Sequence, residues 1–103
     1  MHPLIERYFR LAPLSDTDAY FEQFDARATV EDEGREYHGV DAIRAWRGEV
    51  PTVTYAVRDV RSSDGVTVAR ADIAGDFPGS PVQLGFHFTF TGDERIEFLA
   101  IRP

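Results

Sequence analysis

Residues 28–46 read ATVEDEGREYHGVDAIRAW, a pattern that predicts a strand, a tight turn, a second strand and a helix. Side chains alternate between the two faces of a strand, so Ala28, Val30 and Asp32 share one face of the first strand. That face is apolar apart from Asp32. Burial disfavours the ionised form of a carboxylate, and we therefore expect a raised pKa for Asp32, in the range that suits proton transfer. Asp32 is a candidate general base.

Two shorter helical segments precede this stretch. Helical spacing places Tyr8 on the inner face of a helix that begins at Pro3 and ends at Pro13. A second short helix carries a cluster of aromatic side chains around residues 20–24. The third helix is expected over residues 40–47, with Trp46 on its apolar side.

From Thr52 onward the hydrophobic period changes to two, and turn signals divide the rest of the chain into four strands. The side chains expected to face inward are Val53, Tyr55, Val57, Val66, Val68, Leu84, Phe86, Phe88, Phe90, Ile96 and Phe98. Helices followed by strands predict an α+β fold, in which a curled antiparallel sheet wraps around the three N-terminal and central helices. With 103 residues the chain is expected to be a single domain, residues 1–103.

Composition excludes several classes of function. The net charge is -7 and the pI is near 4.8, which argues against partners such as nucleic acid or an anionic membrane. All 11 basic residues are arginine and cysteine is absent, so neither a Schiff-base lysine nor a thiol nucleophile is available. The three histidines do not have metal-ligand spacing, and no metal or cofactor is expected. The first 13 residues are too charged for a signal peptide, which predicts a cytoplasmic protein.

The run from residue 6 to residue 46, ERYFRLAPLSDTDAYFEQFDARATVEDEGREYHGVDAIRAW, resembles the opening of SnoaL-like proteins in the nuclear transport factor 2-like superfamily. The features in common are a helix with an inward tyrosine, a second helix that ends in phenylalanine, the pattern A-x-V-x-D, a hairpin and a third helix. The resemblance implies a cone-shaped α+β barrel with an internal ligand pocket and dimerisation through the outer sheet face. Function varies widely within this superfamily.

Ketosteroid isomerase, a member of that superfamily and a known case of pKa tuning, offers a chemical parallel. Tyr8 and Asp32 match its helix tyrosine and strand aspartate, which implies Asp32 as general base and Tyr8 as donor to the oxyanion. The strand from Leu84 to Thr91 holds no acid that could supply a second donor, and Phe86 stands near the matching position. Steroid isomerisation is therefore not expected.

The predicted catalytic residues are thus Asp32 and Tyr8, and the predicted ligand-binding residues are Trp46, Tyr55, Phe86 and Phe88. Each has a structural alternative. Asp32 could instead hold backbone amides or an arginine at a strand end, the hydroxyl of Tyr8 could be satisfied within the core, and the other side chains could be core packing.

Two functions follow from these alternatives. The first is a protein that binds a small, mainly apolar ligand in the barrel pocket, with acid/base chemistry by Asp32 of the isomerase, cyclase or dehydratase type. The second is a non-catalytic binding or dimeric interaction domain with a filled pocket.

A homodimer is also expected. Alternation from Phe98 places Leu99 and Ile101 on the outer face of the last strand, where a monomer would expose them to water. By the same alternation His87, between Phe86 and Phe88, faces away from the pocket.

Overall fold

A computed structural model describes residues 2–14 and 17–103, and it has the expected α+β architecture. The helices are α1 (Pro3–Leu11), α2 (Asp18–Glu22) and α3 (Val40–Glu49), and a 3-10 turn (Ala12–Leu14) follows α1. The strands are β1 (Phe24–Asp32), β2 (Arg35–His38), β3 (Val53–Ser63), β4 (Val66–Gly75), β5 (Val82–Phe90) and β6 (Ile96–Arg102). None of the helices within the described residues is long and apolar enough to cross a membrane.

The strands form one curled sheet in the order β2-β1-β6-β5-β4-β3, which leaves β2 and β3 as its two edges. The hairpin β1–β2 and the meander from β3 to β6 are antiparallel, as expected. The pairing of β1 with β6 is parallel, so the sheet is mixed rather than purely antiparallel. This contact brings the chain back across the sheet and places Asp32 beside Ile101.

The β1–β2 turn fixes the position of Asp32. Glu33 and Gly34 both have positive φ, 53° and 77°, as a two-residue hairpin turn of type I′ requires. The turn pairs Asp32 with Arg35 at the end of the ladder. Asp32 is therefore the last residue of β1 before the chain reverses.

The core lies between the concave face of the sheet and the helices. From α1, the ring of Tyr8 packs edge-on against Phe88 with centroids 5.2 Å apart, and Phe9 packs against Phe86 at 5.1 Å. From α3, Ile43 and Trp46 are buried against β1 and β2. Helix α1 thus packs on the aromatic side chains of β5.

The inward face of β4 differs from the expected one. Val66 and Val68 are only partly buried and lie on the outer face, whereas Thr67, Ala69, Ala71 and Ile73 point into the core. The reason is size, because Ala69 pairs with Phe86 and Thr67 with Phe88 on the neighbouring strand. Small side chains leave room for the large rings across the ladder.

The expected orientation of β6 is wrong at its C-terminal half. Ile96 pairs with Phe90 but Phe98 pairs with Thr89, so Glu97 is an extra residue that forms a β-bulge. Beyond the bulge Leu99 and Ile101 face the core, with 0% and 8% of their surface exposed. The premise that these two side chains would drive dimerisation is therefore contradicted.

Candidate functional site

A cavity of about 550 Å³ opens on the concave side of the sheet, next to α3. Its exposed rim includes Glu33, Pro51, Pro78, Gly79, Val82 and Pro103. Its buried interior is formed by Trp46, Arg47, Val53, Ile73, Phe86 and Ile101. All of these interior side chains are hydrophobic except Arg47, and the volume lies in the range of small-molecule sites, about 300–1,000 Å³.

Asp32 lies in the wall of this cavity, on the apolar face that alternation predicts. The carboxylate is half-buried, and its Oδ2 accepts a hydrogen bond from Nε1 of Trp46 at 3.0 Å. This hydrogen bond joins the end of β1 to α3 and fixes the direction in which the carboxylate points. A positioned carboxylate in an apolar cavity is suited to accept a proton from a bound molecule.

Three of the four predicted ligand-binding residues line the cavity, namely Trp46, Tyr55 and Phe86. Phe88 does not line it. Its ring is fully buried, in contact with Tyr8 and stacked on Phe90 at 5.8 Å. Phe88 belongs to the core beneath α1.

Tyr8 is not among the residues that line the cavity, so the structure does not place it beside Asp32 at one wall. Tyr8 is fully buried, and its hydroxyl lies 2.9 Å from the hydroxyl of Tyr20. Burial raises the pKa of Tyr8 to about 12 and also raises the pKa of Tyr20. The hydroxyl of Tyr8 is thus hydrogen-bonded within the core, which is the structural alternative for this residue.

Arg47 is the polar side chain of the interior that the sequence prediction missed. It is 6% exposed, and Nη2 donates to the carbonyl of Ala12 at 3.0 Å and to the hydroxyl of Tyr55 at 2.7 Å. The signal was present in α3, because Arg47 follows the buried Ile43 by four residues and Trp46 by one. A charged residue that continues a buried helical stripe marks a candidate site.

Aromatic rings surround the guanidinium of Arg47. Its Cζ lies 4.8 Å from the ring centroid of Tyr20 and 5.3 Å from that of Trp46, both cation–π distances. Burial acts to lower the pKa of Arg47, but the oxygens of the neighbouring tyrosines outweigh it and the net direction of the pKa is upward. The guanidinium is charged at neutral pH.

Tyr55 can take the donor role that the resemblance implied for Tyr8. Its hydroxyl oxygen accepts from Arg47, which leaves its own proton available to a molecule in the cavity. The site therefore combines a carboxylate at Asp32, a hydroxyl at Tyr55 and a cation at Arg47.

The histidines lie elsewhere. His38 is exposed, with Nδ1 3.0 Å from Oγ1 of Thr29, and His87 pairs with Ala100 on the outer face of the sheet. The outward direction expected for His87 is confirmed. Residues 2–14 and 17–103 contain no cluster of three or more histidine, aspartate or glutamate side chains that could hold a metal ion.

Comparison with known proteins identifies the fold. A proposed polyketide cyclase from Sinorhizobium meliloti is 34% identical, with 99% of this chain and 95% of that chain covered and a TM-score of 0.90. A protein from Sphaerobacter thermophilus is 24% identical, covers 96% of this chain and 91% of that chain, and has a TM-score of 0.82. A protein with a ketosteroid isomerase-like fold from Catenulispora acidiphila, solved in complex with trimethylamine, is 15% identical over 98% of this chain and 85% of that chain, with a TM-score of 0.81.

No family model and no curated protein matches the sequence. The structural matches cover nearly the whole chain, and they include a ketosteroid isomerase-like fold. The chain therefore belongs to the SnoaL-like proteins of the nuclear transport factor 2-like superfamily.

Proposed function

We propose that the cavity binds a small, mainly apolar molecule and that Asp32 acts on this molecule as a general base. The observation that carries the proposal is the carboxylate of Asp32 in the wall of an otherwise apolar cavity, held by the indole of Trp46. The relative from Sinorhizobium meliloti, a proposed polyketide cyclase, supports the same class of chemistry.

The chemistry begins at a carbon next to a carbonyl group. Asp32 takes a proton from that carbon, and the electron pair of the broken C–H bond moves onto the carbonyl oxygen. The hydroxyl of Tyr55 donates to that oxygen while its negative charge develops. An isomerase would return the proton to another carbon, a cyclase would use the carbanion to attack a second carbonyl, and a dehydratase would expel a hydroxyl group.

The test uses 5-nitrobenzisoxazole, a neutral apolar probe that opens to a coloured cyanophenolate when a base removes its carbon-bound proton. We expect saturable turnover by the protein and a loss of about 100-fold or more in Asp32→Asn, because a positioned base contributes about 10²–10⁴-fold. The substitution keeps an oxygen that can accept from Trp46, so thermal stability should be little changed.

Glu33→Gln is the matched control, because Glu33 also borders the cavity and the substitution makes the same change in charge. Turnover in Glu33→Gln should stay within about 3-fold of the parent, since only a positioned base gives a large effect. Equal losses in both variants, or no loss in Asp32→Asn, would contradict the assignment of Asp32.

A non-catalytic binding domain is the second candidate. The observation that favours it is the hydroxyl contact between Tyr8 and Tyr20, which withholds Tyr8 from the cavity. This function is supported if the probe binds saturably but is turned over no faster than by acetate at the same carboxylate concentration.

The partners and the location belong to the same proposal. With a net charge of -7, the protein is expected to act on a free small molecule rather than on nucleic acid or an anionic membrane. We also propose a cytoplasmic location. We also propose a homodimer, on the family resemblance alone.

A further inference from the structure

The interior of the cavity contains a buried cation with neutral partners. Arg47 is 6% exposed, and within the described ranges none of the ion pairs involves it. Its hydrogen-bond acceptors there are the carbonyl of Ala12 and the hydroxyl of Tyr55. These hydrogen bonds and the rings of Tyr20 and Trp46 hold the charge in place, but no opposite charge among the described residues neutralises it.

The guanidinium also retains a free donor. Nε of Arg47 is buried and has no acceptor among residues 2–14 and 17–103. The hydrogen bonds to Ala12 and Tyr55 both use Nη2, so they hold the guanidinium in place without satisfying Nε. A side chain that lines a cavity, is charged and is incompletely satisfied has the properties of a ligand-binding group.

The lining residues become more buried from the opening of the cavity to its interior. Glu33 and Pro103 are exposed at the rim, whereas Arg47 and Phe86 are buried in the interior. An anionic ligand would therefore place its charge deep in the cavity beside Arg47, beyond the exposed carboxylate of Glu33 and the half-buried carboxylate of Asp32. Its apolar part would extend along Val53 and Ile73 toward the opening.

We propose that the cavity takes an apolar carboxylate, a molecule whose carboxylate group binds Arg47 while its hydrocarbon part fills the rest of the volume. The inference rests on the proposed function of this cavity as a small-molecule site. A guanidinium matches the planar geometry of a carboxylate, and charge-assisted hydrogen bonds of this kind are stronger than neutral ones.

The test compares three probes that share one hydrocarbon group and differ in charge: 4-cyclohexylbutanoate, 4-cyclohexylbutanamide and 4-cyclohexylbutylamine. Binding to the unaltered protein is followed by the fluorescence of Trp46, the single tryptophan of the chain, whose indole lines the cavity. We expect the acid to bind about 10- to 100-fold more tightly than the amide at pH 7. The amine should bind most weakly.

Two variants assign the effect to Arg47. Arg47→Gln should reduce the preference for the acid over the amide to less than about 3-fold, because the charge-assisted hydrogen bond is lost. Arg44→Gln makes the same change in charge on the same helix, but the side chain of Arg44 is half exposed and pairs with Asp18 at 3.2 Å. Arg44→Gln should therefore keep the full preference for the acid.

The outcomes separate the two proposals. If the amide or the amine binds as tightly as the acid, the carboxylate assignment is overturned while the apolar pocket stands. If none of the three probes binds, both proposals fail. The comparison in the unaltered protein decides the matter even if Arg47→Gln does not fold.

Discussion

The hydroxyl contact between Tyr8 and Tyr20 is a hydrogen bond without solvent access, since both side chains are fully buried. A buried hydroxyl that loses its partner still pays the cost of its desolvation. The contact therefore stabilises the fold mainly because each hydroxyl gives the other a hydrogen-bond partner. The contact also fixes the rings around Arg47, because the guanidinium lies over the ring of Tyr20.

Removal of either hydroxyl should lower the free energy of unfolding. We expect a loss of about 1–2 kcal/mol for Tyr8→Phe or Tyr20→Phe, measured by denaturant unfolding. The double variant should lose about as much as one single variant, because both substitutions remove the same hydrogen bond.

Tyr37→Phe is the control, because the half-buried Tyr37 makes no side-chain hydrogen bond in the part of the chain that the structure describes. Its effect should be within about 0.5 kcal/mol. Strictly additive losses for Tyr8 and Tyr20 would contradict the shared hydrogen bond.

His87 provides the pH dependence that the structure predicts most clearly. Burial between β4 and β6 lowers its pKa below 6.5, the positive charges of Arg102 and Arg70 act in the same direction, and Glu31 opposes them. The unfolded chain therefore binds a proton at this position at a higher pH than the folded chain does. The free energy of unfolding should fall as the pH drops below 6.5 toward the folded pKa.

His87→Asn should flatten this part of the stability profile, measured by urea unfolding between neutral and mildly acidic pH. A slope that survives in His87→Asn would contradict the assignment to His87.

Two glycines differ in how closely neighbouring atoms pack around them. Gly75 ends β4 opposite Val53, and a Cβ atom there would lie 2.9 Å from Cγ1 of Val53 and 3.2 Å from the carbonyl of Thr52. Gly48 lies in α3, and a Cβ atom there would meet nothing within 4 Å. The same substitution should therefore have opposite effects at the two positions.

Gly75→Ala should lower the free energy of unfolding by about 1–3 kcal/mol, because the added methyl group overpacks the contact with β3. Gly48→Ala should raise it by about 0.5–1 kcal/mol, because alanine is the better helix former. Thermal unfolding of both variants measures the difference. A stabilised Gly75→Ala would show that β3 and β4 are less tightly packed than the structure indicates.

Local patterns predicted the elements well. Alternation placed Asp32 on the inner face, and Glu-Gly predicted the hairpin turn that follows it. The errors arise from long-range contacts, because the parallel pairing of β1 with β6 joins residues that are distant in sequence. The bulge at Glu97 is a property of the paired strands, and it reverses the faces of Leu99 and Ile101.

The site was only partly predictable for a similar reason. Trp46, Tyr55 and Phe86 were expected in the cavity wall, and periodicity was enough to place them there. Arg47 is not among the predicted residues, because helical spacing predicts hydrophobic rather than charged side chains on the buried face of α3. Whether Tyr8 faces a cavity or Tyr20 depends on the packing of α1, which helical spacing does not specify.

Dimerisation is a property of the whole molecule, and Leu99 and Ile101 do not explain it. Since Leu99 and Ile101 are buried in the core, an interface through the outer sheet face must use other residues, such as the half-buried Phe98. We expect sedimentation equilibrium at micromolar concentration to give a mass twice that of the 11.6 kDa chain. A species of 11.6 kDa under those conditions would contradict the homodimer.

The indole N–H of Trp46 tests the cavity most directly, because it is the single tryptophan signal of the chain and its partner is Asp32. The measurement is a ¹H–¹⁵N NMR titration of this signal with 4-cyclohexylbutanoate. The expected result is a saturable shift of the indole resonance, accompanied by shifts at Tyr55 and Phe86. An indole resonance that stays fixed through the titration would contradict a ligand site between Asp32 and Arg47.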